Sequence, residues 1–300
     1  MEKRNKHEKK GRYSQSDFTE ESLPGNRFEV FLDVLKTHWR TFLWIGLILF
    51  LFALPLILLE TGQLLTLSSL RASFASGSLK EEEFASSYQA FSLMFAFSRF
   101  PCLLLLSLPL AGFCRVYRIL VYYEMLSFKH DFLRGIKENG KNVFLLASIA
   151  SLLYCFAAYF LANPMGEGFV ASLLSYAPMF LYALFLLPPC VLCYCSFPFY
   201  VNSFPKAFSN SFPIYFSKAF HALGFLLLLF APLFALPFCP FIPFLIILCL
   251  YFLLYLPLAL LAFFLFSVYC FDRSINASSY PQIVDKGIHR KGRKPKDGLD

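Results

Sequence analysis

Charge is the scarcest commodity in this chain: Asp, Glu, Lys and Arg together make up 15% of its 300 residues, where a soluble domain averages about 25%. A water-soluble fold of this length would lack the polar residues to cover its own surface. Acids are rarer still in the second half, where Glu167 is the sole carboxylate between Val143 and Tyr269. Proton- or cation-coupled transport ordinarily needs Asp, Glu or His at membrane depth, so coupled transport has little to work with here. The 5 His residues (His7, His38, His130, His221 and His289) are scattered, and none has a partner at metal-ligand spacing. No Walker sequence, Gly-rich dinucleotide loop or nucleophile elbow is present. The sequence therefore nominates no catalytic residue, no cofactor and no metal site.

Cysteine is present, at 9 residues, but these lie inside or beside apolar runs, so a disulfide framework is not indicated. In Cys190-Val191-Leu192-Cys193-Tyr194-Cys195 two thiols share a helical face, the spacing a soft metal would need. With neither His nor acid nearby, they read as small apolar residues.

What the chain has in quantity is hydrocarbon. It is 58% hydrophobic and contains 39 Phe. Thr41 to Leu59, Val143 to Ala162 and Phe241 to Tyr269 each reach or approach the roughly 20 residues that cross a bilayer. Unbroken stretches such as Phe225 to Phe230 are unlike the alternating segments of an outer-membrane barrel. The expected fold is all-α: a polytopic transmembrane helical bundle with six spans near 41–59, 100–120, 143–162, 172–195, 219–237 and 243–267, joined by short amphipathic interfacial helices. The expected organisation is a disordered polar N-terminus (1–25), a transmembrane domain (26–270) and a basic tail (271–300). The polar stretch before Thr41 is too long for the n-region of a signal peptide, and the first helix is expected to stay in the protein.

Every Lys and Arg except Arg71, Lys80 and Arg99 falls on one side of this arrangement. The positive-inside rule makes that side cytoplasmic, with both termini on it, in a cell membrane. The tail cluster Arg290-Lys291-Gly292-Arg293-Lys294-Pro295-Lys296 could suggest nucleic acid. Anionic headgroups attract such juxtamembrane clusters at about 1 kcal/mol per basic residue, and the expected partner is the bilayer, not nucleic acid.

The segment Phe31-Leu32-Asp33-Val34-Leu35-Lys36-Thr37-His38-Trp39-Arg40-Thr41-Phe42 aligns without gaps on Phe132-Leu133-Arg134-Gly135-Ile136-Lys137-Glu138-Asn139-Gly140-Lys141-Asn142-Val143. Ser211 to Phe220 is a looser third copy. The implied unit is a basic amphipathic helix leading into a helical hairpin, repeated in parallel. Lys137 and Lys141 are binding candidates within it. Arg99, in Ser98-Arg99-Phe100-Pro101, reads as an interfacial anchor if Ser98 caps the second span, or as an intramembrane charge if that helix begins near Phe91. Among many span prolines, the pair Pro188-Pro189 should bend or end the fourth span near its inner end.

Asn26-Arg27-Phe28 with Phe31 to Phe42, the Leu54-Pro55-Leu56 stretch, Leu108-Pro109-Leu110-Ala111-Gly112-Phe113 followed by Arg115 and Arg118, and Asp131 to Lys141 together resemble the YesL-type family of bacterial multi-pass membrane proteins. The likeness covers about the first half of the chain. It implies a bacterial origin and an association with carbohydrate ABC uptake systems, hence ABC-type transporter subunits as partners, and it supplies no catalytic or binding residues. The expected role is a non-enzymatic accessory component. A transporter or permease subunit is the alternative, although Asp131 to Lys141 is only a loose substitute for a permease coupling loop. A membrane enzyme acting on lipid or glycan is the third reading, and it would need acids or His clustered at one interface.

Overall fold

The computed structural model describes residues 24–163, 166 and 168–289. The expected disorder of 1–25 falls almost wholly outside them, as does the basic cluster that begins at Arg290. The described chain is helical, with 6 helices long and apolar enough to cross a membrane: α1 (Arg27–Ala75), α2 (Glu81–Val121), α3 (Phe128–Ala162), α4 (Phe169–Ser196), and, after the short α5 (Phe204–Ser217), α6 (Ala219–Phe238) and α7 (Phe241–Ser279). It is a multi-pass membrane protein.

The two ends of the bundle differ. At the basic end the first helix starts with Asn26 as its N-cap, whose side chain accepts the Glu29 amide. It runs as an amphipathic segment to His38, where φ −114° and ψ 24° break the helical path before the span begins. An equivalent break stands at Lys218 (φ −137°, ψ 30°), between α5 and α6. In α3 the amphipathic segment and the span form one helix. Burial follows the register of the sequence echo: Val30, Val34, Phe42 and Ile45 are buried in α1, and their counterparts Asp131, Gly135, Val143 and Leu146 are buried in α3. The third copy follows the same scheme, with Ile214, Ala222, Leu226 and Leu229 turned inward.

These three helices stand between the three that return. α1 packs between α7 and α2, α3 between α2 and α4, and α6 between α4 and α7. Each returning helix carries one Leu-Pro step: Leu108-Pro109 in α2, Leu187-Pro188 in α4 and Leu256-Pro257 in α7. In α4 and α7 a π-helical stretch, Tyr182–Leu186 or Tyr251–Tyr255, ends immediately before that step. A proline strips the carbonyl four residues earlier of its helical partner, which is costly in lipid unless another group fills the place. For Pro188 that carbonyl belongs to Leu184, and the Tyr215 hydroxyl donates to it at 2.6 Å. For Pro257 it belongs to Leu253, whose oxygen lies against the Cα of Gly46 so closely that a side-chain carbon there would overlap it. The fourth span is not ended at the Pro188-Pro189 pair, which follows a π-helical stretch. It continues to Ser196, and both prolines are buried.

The returning helices meet at the basic half of the bundle. The ring of Phe264 stacks on Tyr117 with centroids 5.0 Å apart and meets Tyr194 edge-on at 5.5 Å. Both tyrosine hydroxyls are satisfied by main-chain carbonyls, Tyr117 by Pro257 and Tyr194 by Leu110, each at 2.9 Å. Phe113, Phe263 and Phe271 fill the space around them. The centre is built chiefly of buried aromatic and aliphatic side chains.

At the other end α1 and α2 outrun the rest. The second helix begins at Glu81 with Lys80 as N-cap, not at Ser98, so Ser98 is no cap and Pro101 lies inside the helix. From His38 to Glu60 is about 33 Å of helix, close to the roughly 30 Å of a hydrocarbon core. Beyond Glu60, α1 and α2 continue together as a hairpin about 22 Å long. It is closed by the Phe74–Phe84 stack at 4.6 Å and lined by Leu70, Phe95 and Ala96. The sequence between these spans is rich in Ser, Ala and Glu and reads as a polar loop, yet it folds because each helix supplies the other's apolar partner.

Candidate functional site

Glu60 and Gln63 are three residues apart on α1 and so share a face. The antiparallel packing of α2 brings Arg99 opposite both. Its Nε donates to Glu60 Oε1 at 2.5 Å and its Nη2 to Glu60 Oε2 at 2.9 Å, a bidentate pair, while Nη2 also donates to the Gln63 side-chain oxygen. The Arg99 side chain is 12% exposed and that of Glu60 25%. Tyr154 and Cys155 of α3 border the guanidinium, and the Tyr154 ring lies 5.7 Å from that of Tyr182 in α4. Arg99 is therefore no free anchor reaching for headgroups. It is a covered, paired charge at the far border of the span. A fork-to-fork arginine–carboxylate pair is strong and directional, but it leaves neither a free base nor a free acid. Its evident work is to fix the register of α1 on α2.

The second polar region is the basic end. Arg115 of α2 bonds Asp131 at 3.2 Å and Glu138 at 2.9 Å, and Arg134 adds a 2.7 Å bond to Glu138. The helices come this close because Gly112 and Gly135 face each other: a side-chain carbon on Gly135 would stand 2.5 Å from the Gly112 carbonyl oxygen. Lys137 and Lys141 lie on the opposite, exposed face of α3, one turn apart, next to exposed Leu133 and above exposed Phe144. This is an outward-facing stripe of cations over apolar side chains, placed where headgroups begin.

A third polar knot holds the chain ends together. Asp272, 5% exposed near the end of α7, accepts from Arg27 Nη2 (3.0 Å), Asn276 Nδ2 (2.8 Å) and the Asp285 amide (3.3 Å). Tyr200 donates to Asn276 at 2.7 Å, Arg27 to the Lys286 carbonyl at 3.0 Å, and the His289 amide to the Pro24 carbonyl at 2.9 Å. Burial, reinforced by Asp272 and opposed by Arg27 and Arg118, pushes the neighbouring Tyr122 phenol up to about 12, so it stays protonated. The bundle runs past position 271 without interruption, and residues up to 289 of the expected tail fold back on it.

The candidates from sequence do not converge. Arg99 sits at the far border, Pro188 and Pro189 inside α4, and Lys137 and Lys141 on the outer surface of α3. Sequence reasoning missed Glu60 and Gln63 as the partners of Arg99. The available signal was that an acid and a base each sit at the same end of adjacent spans. It also missed the Asp272 knot, whose members are far apart in the chain. Among the described residues no group of three His, Cys, Asp or Glu side chains is arranged to hold a metal, and all 9 cysteines are free thiols. No family model, curated protein or solved structure matches the chain.

Proposed function

We propose that the protein is a non-enzymatic accessory component of a bacterial carbohydrate uptake system in the cell membrane, with both termini cytoplasmic and the Lys137–Lys141 face turned to anionic headgroups and to partner subunits. The observation that carries the non-catalytic part is the packed aromatic centre of Tyr117, Tyr194 and Phe264. Its tyrosine hydroxyls are taken up by main-chain carbonyls, and the Glu60–Arg99, Arg115–Asp131–Glu138 and Arg27–Asp272 clusters are paired within themselves. The uptake context comes from the sequence resemblance alone. The orientation comes from the one-sided placement of Lys and Arg.

The test is affinity purification of the tagged protein from its native membrane in mild detergent, with mass spectrometry of what accompanies it. The expected outcome is recovery of an ATPase and sugar-uptake subunits, reduced at equal expression when Lys36, Arg40, Lys137 and Lys141 are changed to Gln. Recovery of the chain alone would sink the proposal. A transporter or permease subunit is the second reading, and the Glu60–Arg99 pair, covered charges at the border of two spans, is the observation that favours it. Sugar uptake by proteoliposomes containing only this chain would select that reading.

A further inference from the structure

The chain has 2 tryptophans, Trp39 and Trp44, and both stand on α1 just past the break at His38, 52% and 57% exposed. Arg40 is exposed beside them, its guanidinium 5.5 Å from the centre of the Trp39 ring. Among the described residues no carboxylate stands within ion-pair distance of it. The preceding acid of α1, Asp33, accepts from the Tyr123 hydroxyl at 3.0 Å instead.

A shallow, open groove of about 310 Å³ runs down this face, lined by Arg40, Leu43, Trp44 and Leu47. Positions three and four apart form one stripe on a helix, and the opposite stripe, Phe42, Ile45, Gly46 and Leu49, is buried in the bundle. From Arg40 to Leu47 the exposed stripe descends about 10 Å, from the border of the hydrocarbon into it. It is cationic at the top, indole in the middle and aliphatic below. At the matching positions of the sequence echo α3 repeats the order: exposed Lys141 stands one turn above exposed Phe144 and Leu145.

We infer that the Arg40–Leu47 face holds an anionic phospholipid in preference to a zwitterionic one, with the phosphate on Arg40, the ester region against Trp44 and the upper acyl chain along Leu43 and Leu47. The occupant has to be anionic at the border and apolar beneath it, at the depth where headgroup gives way to chain. A guanidinium matches two oxygens of one phosphate, and indoles settle at the headgroup level. A zwitterionic headgroup brings its own cation next to the phosphate and gains less from Arg40. The inference rests on the reading of the basic end as a headgroup border, and on nothing in the uptake role.

Because both indoles flank Arg40, the tryptophan fluorescence of the protein reports on this face alone. The full chain is reconstituted in mixed bilayers of phosphatidylcholine and phosphatidylglycerol, with bromine, a contact quencher of indole, on the acyl chains of one lipid or the other. In the wild type, quenching should show phosphatidylglycerol preferred roughly fivefold, the scale of one arginine–headgroup attraction. Arg40→Gln should bring the two lipids near parity, and Arg40→Lys, which keeps the charge, should retain most of the preference. Trp39→Phe, with Trp44 as sole reporter, should show the wild-type ratio, and so should Lys141→Gln, whose charge lies on another helix. Equal quenching by both lipids in the wild type, an unchanged ratio in Arg40→Gln, or a loss in Lys141→Gln as large as in Arg40→Gln would each overturn the site, the last by showing only a general surface charge. Indoles shielded from both lipids would also overturn it, and would assign the face to a second copy of the chain. Failure here together with recovery of uptake subunits would strike the lipid site and leave the proposed function standing; a clear lipid preference with no subunits recovered would do the reverse.

Discussion

Removing Arg99 or Glu60 alone should cost more than removing both. Either single change strands a charge at the edge of the hydrocarbon, for which a loss of roughly 2–4 kcal/mol is expected, moderated by the partial exposure of Glu60. The double change to Gln leaves two groups able to hydrogen-bond each other. A double-mutant cycle read by reversible unfolding in micelles checks this, and simple additivity would show that the pair contributes nothing. The same pair marks the limit of reading one chain. That Arg99 was unusual could be seen from Ser98-Arg99-Phe100-Pro101. That it faces Glu60, 39 positions away, could not, because local spacing says nothing about which helix will lie opposite. Lys137 and Lys141 were legible for the converse reason: one turn apart on an amphipathic segment, their shared exposed face follows from helical periodicity alone.

The returning helices show how a helix-breaking residue is kept inside a span. At the Leu-Pro step of α4 a neighbouring element takes over the duty of the lost amide: the Tyr215 hydroxyl donates to the Leu184 carbonyl. Tyr215→Phe keeps the ring and removes the donor, so the expected cost is roughly 1 kcal/mol. It should appear as a lower melting temperature with α4 loosened near the π stretch, measurable as faster amide exchange from Tyr182 to Leu187. No change in either would mean that water or a shifted backbone already serves that carbonyl. The Pro188-Pro189 pair was expected to bend or end the fourth span; the helix runs on through it to Ser196, with a π-helical stretch just before the pair. Their function as a binding break was not supported, since the freed carbonyl is occupied. The α1–α2 hairpin was illegible for a different reason: its residues from 61 to 98 mix Ser, Ala and Glu with isolated Leu and Phe, too weak a pattern to rank above a loop until two such strips pack together.

The bundle as a whole was the most legible part, because length, hydropathy and the one-sided distribution of Lys and Arg constrain it jointly. Orientation can be checked directly. A cysteine placed at the hairpin tip, as in Ser78→Cys, should react with a membrane-impermeant maleimide on intact cells, and Ser278→Cys only after permeabilisation; the reverse pattern would invert the proposed topology. Most native thiols are buried, which keeps the background low.

The Arg27–Asp272 bond spans 245 positions, and α1 rests against α7 as well as α2. During synthesis the first span therefore leaves the ribosome long before half of its neighbours exist. Until the last helix is inserted, the only long-range partner available to α1 is α2, and the Glu60–Arg99 pair is what can hold them as a provisional unit. The protein's order of manufacture thus makes that pair a waiting position, and truncation anywhere before Asp272 should leave a chain that inserts but never closes, marked for disposal by the membrane's own quality control.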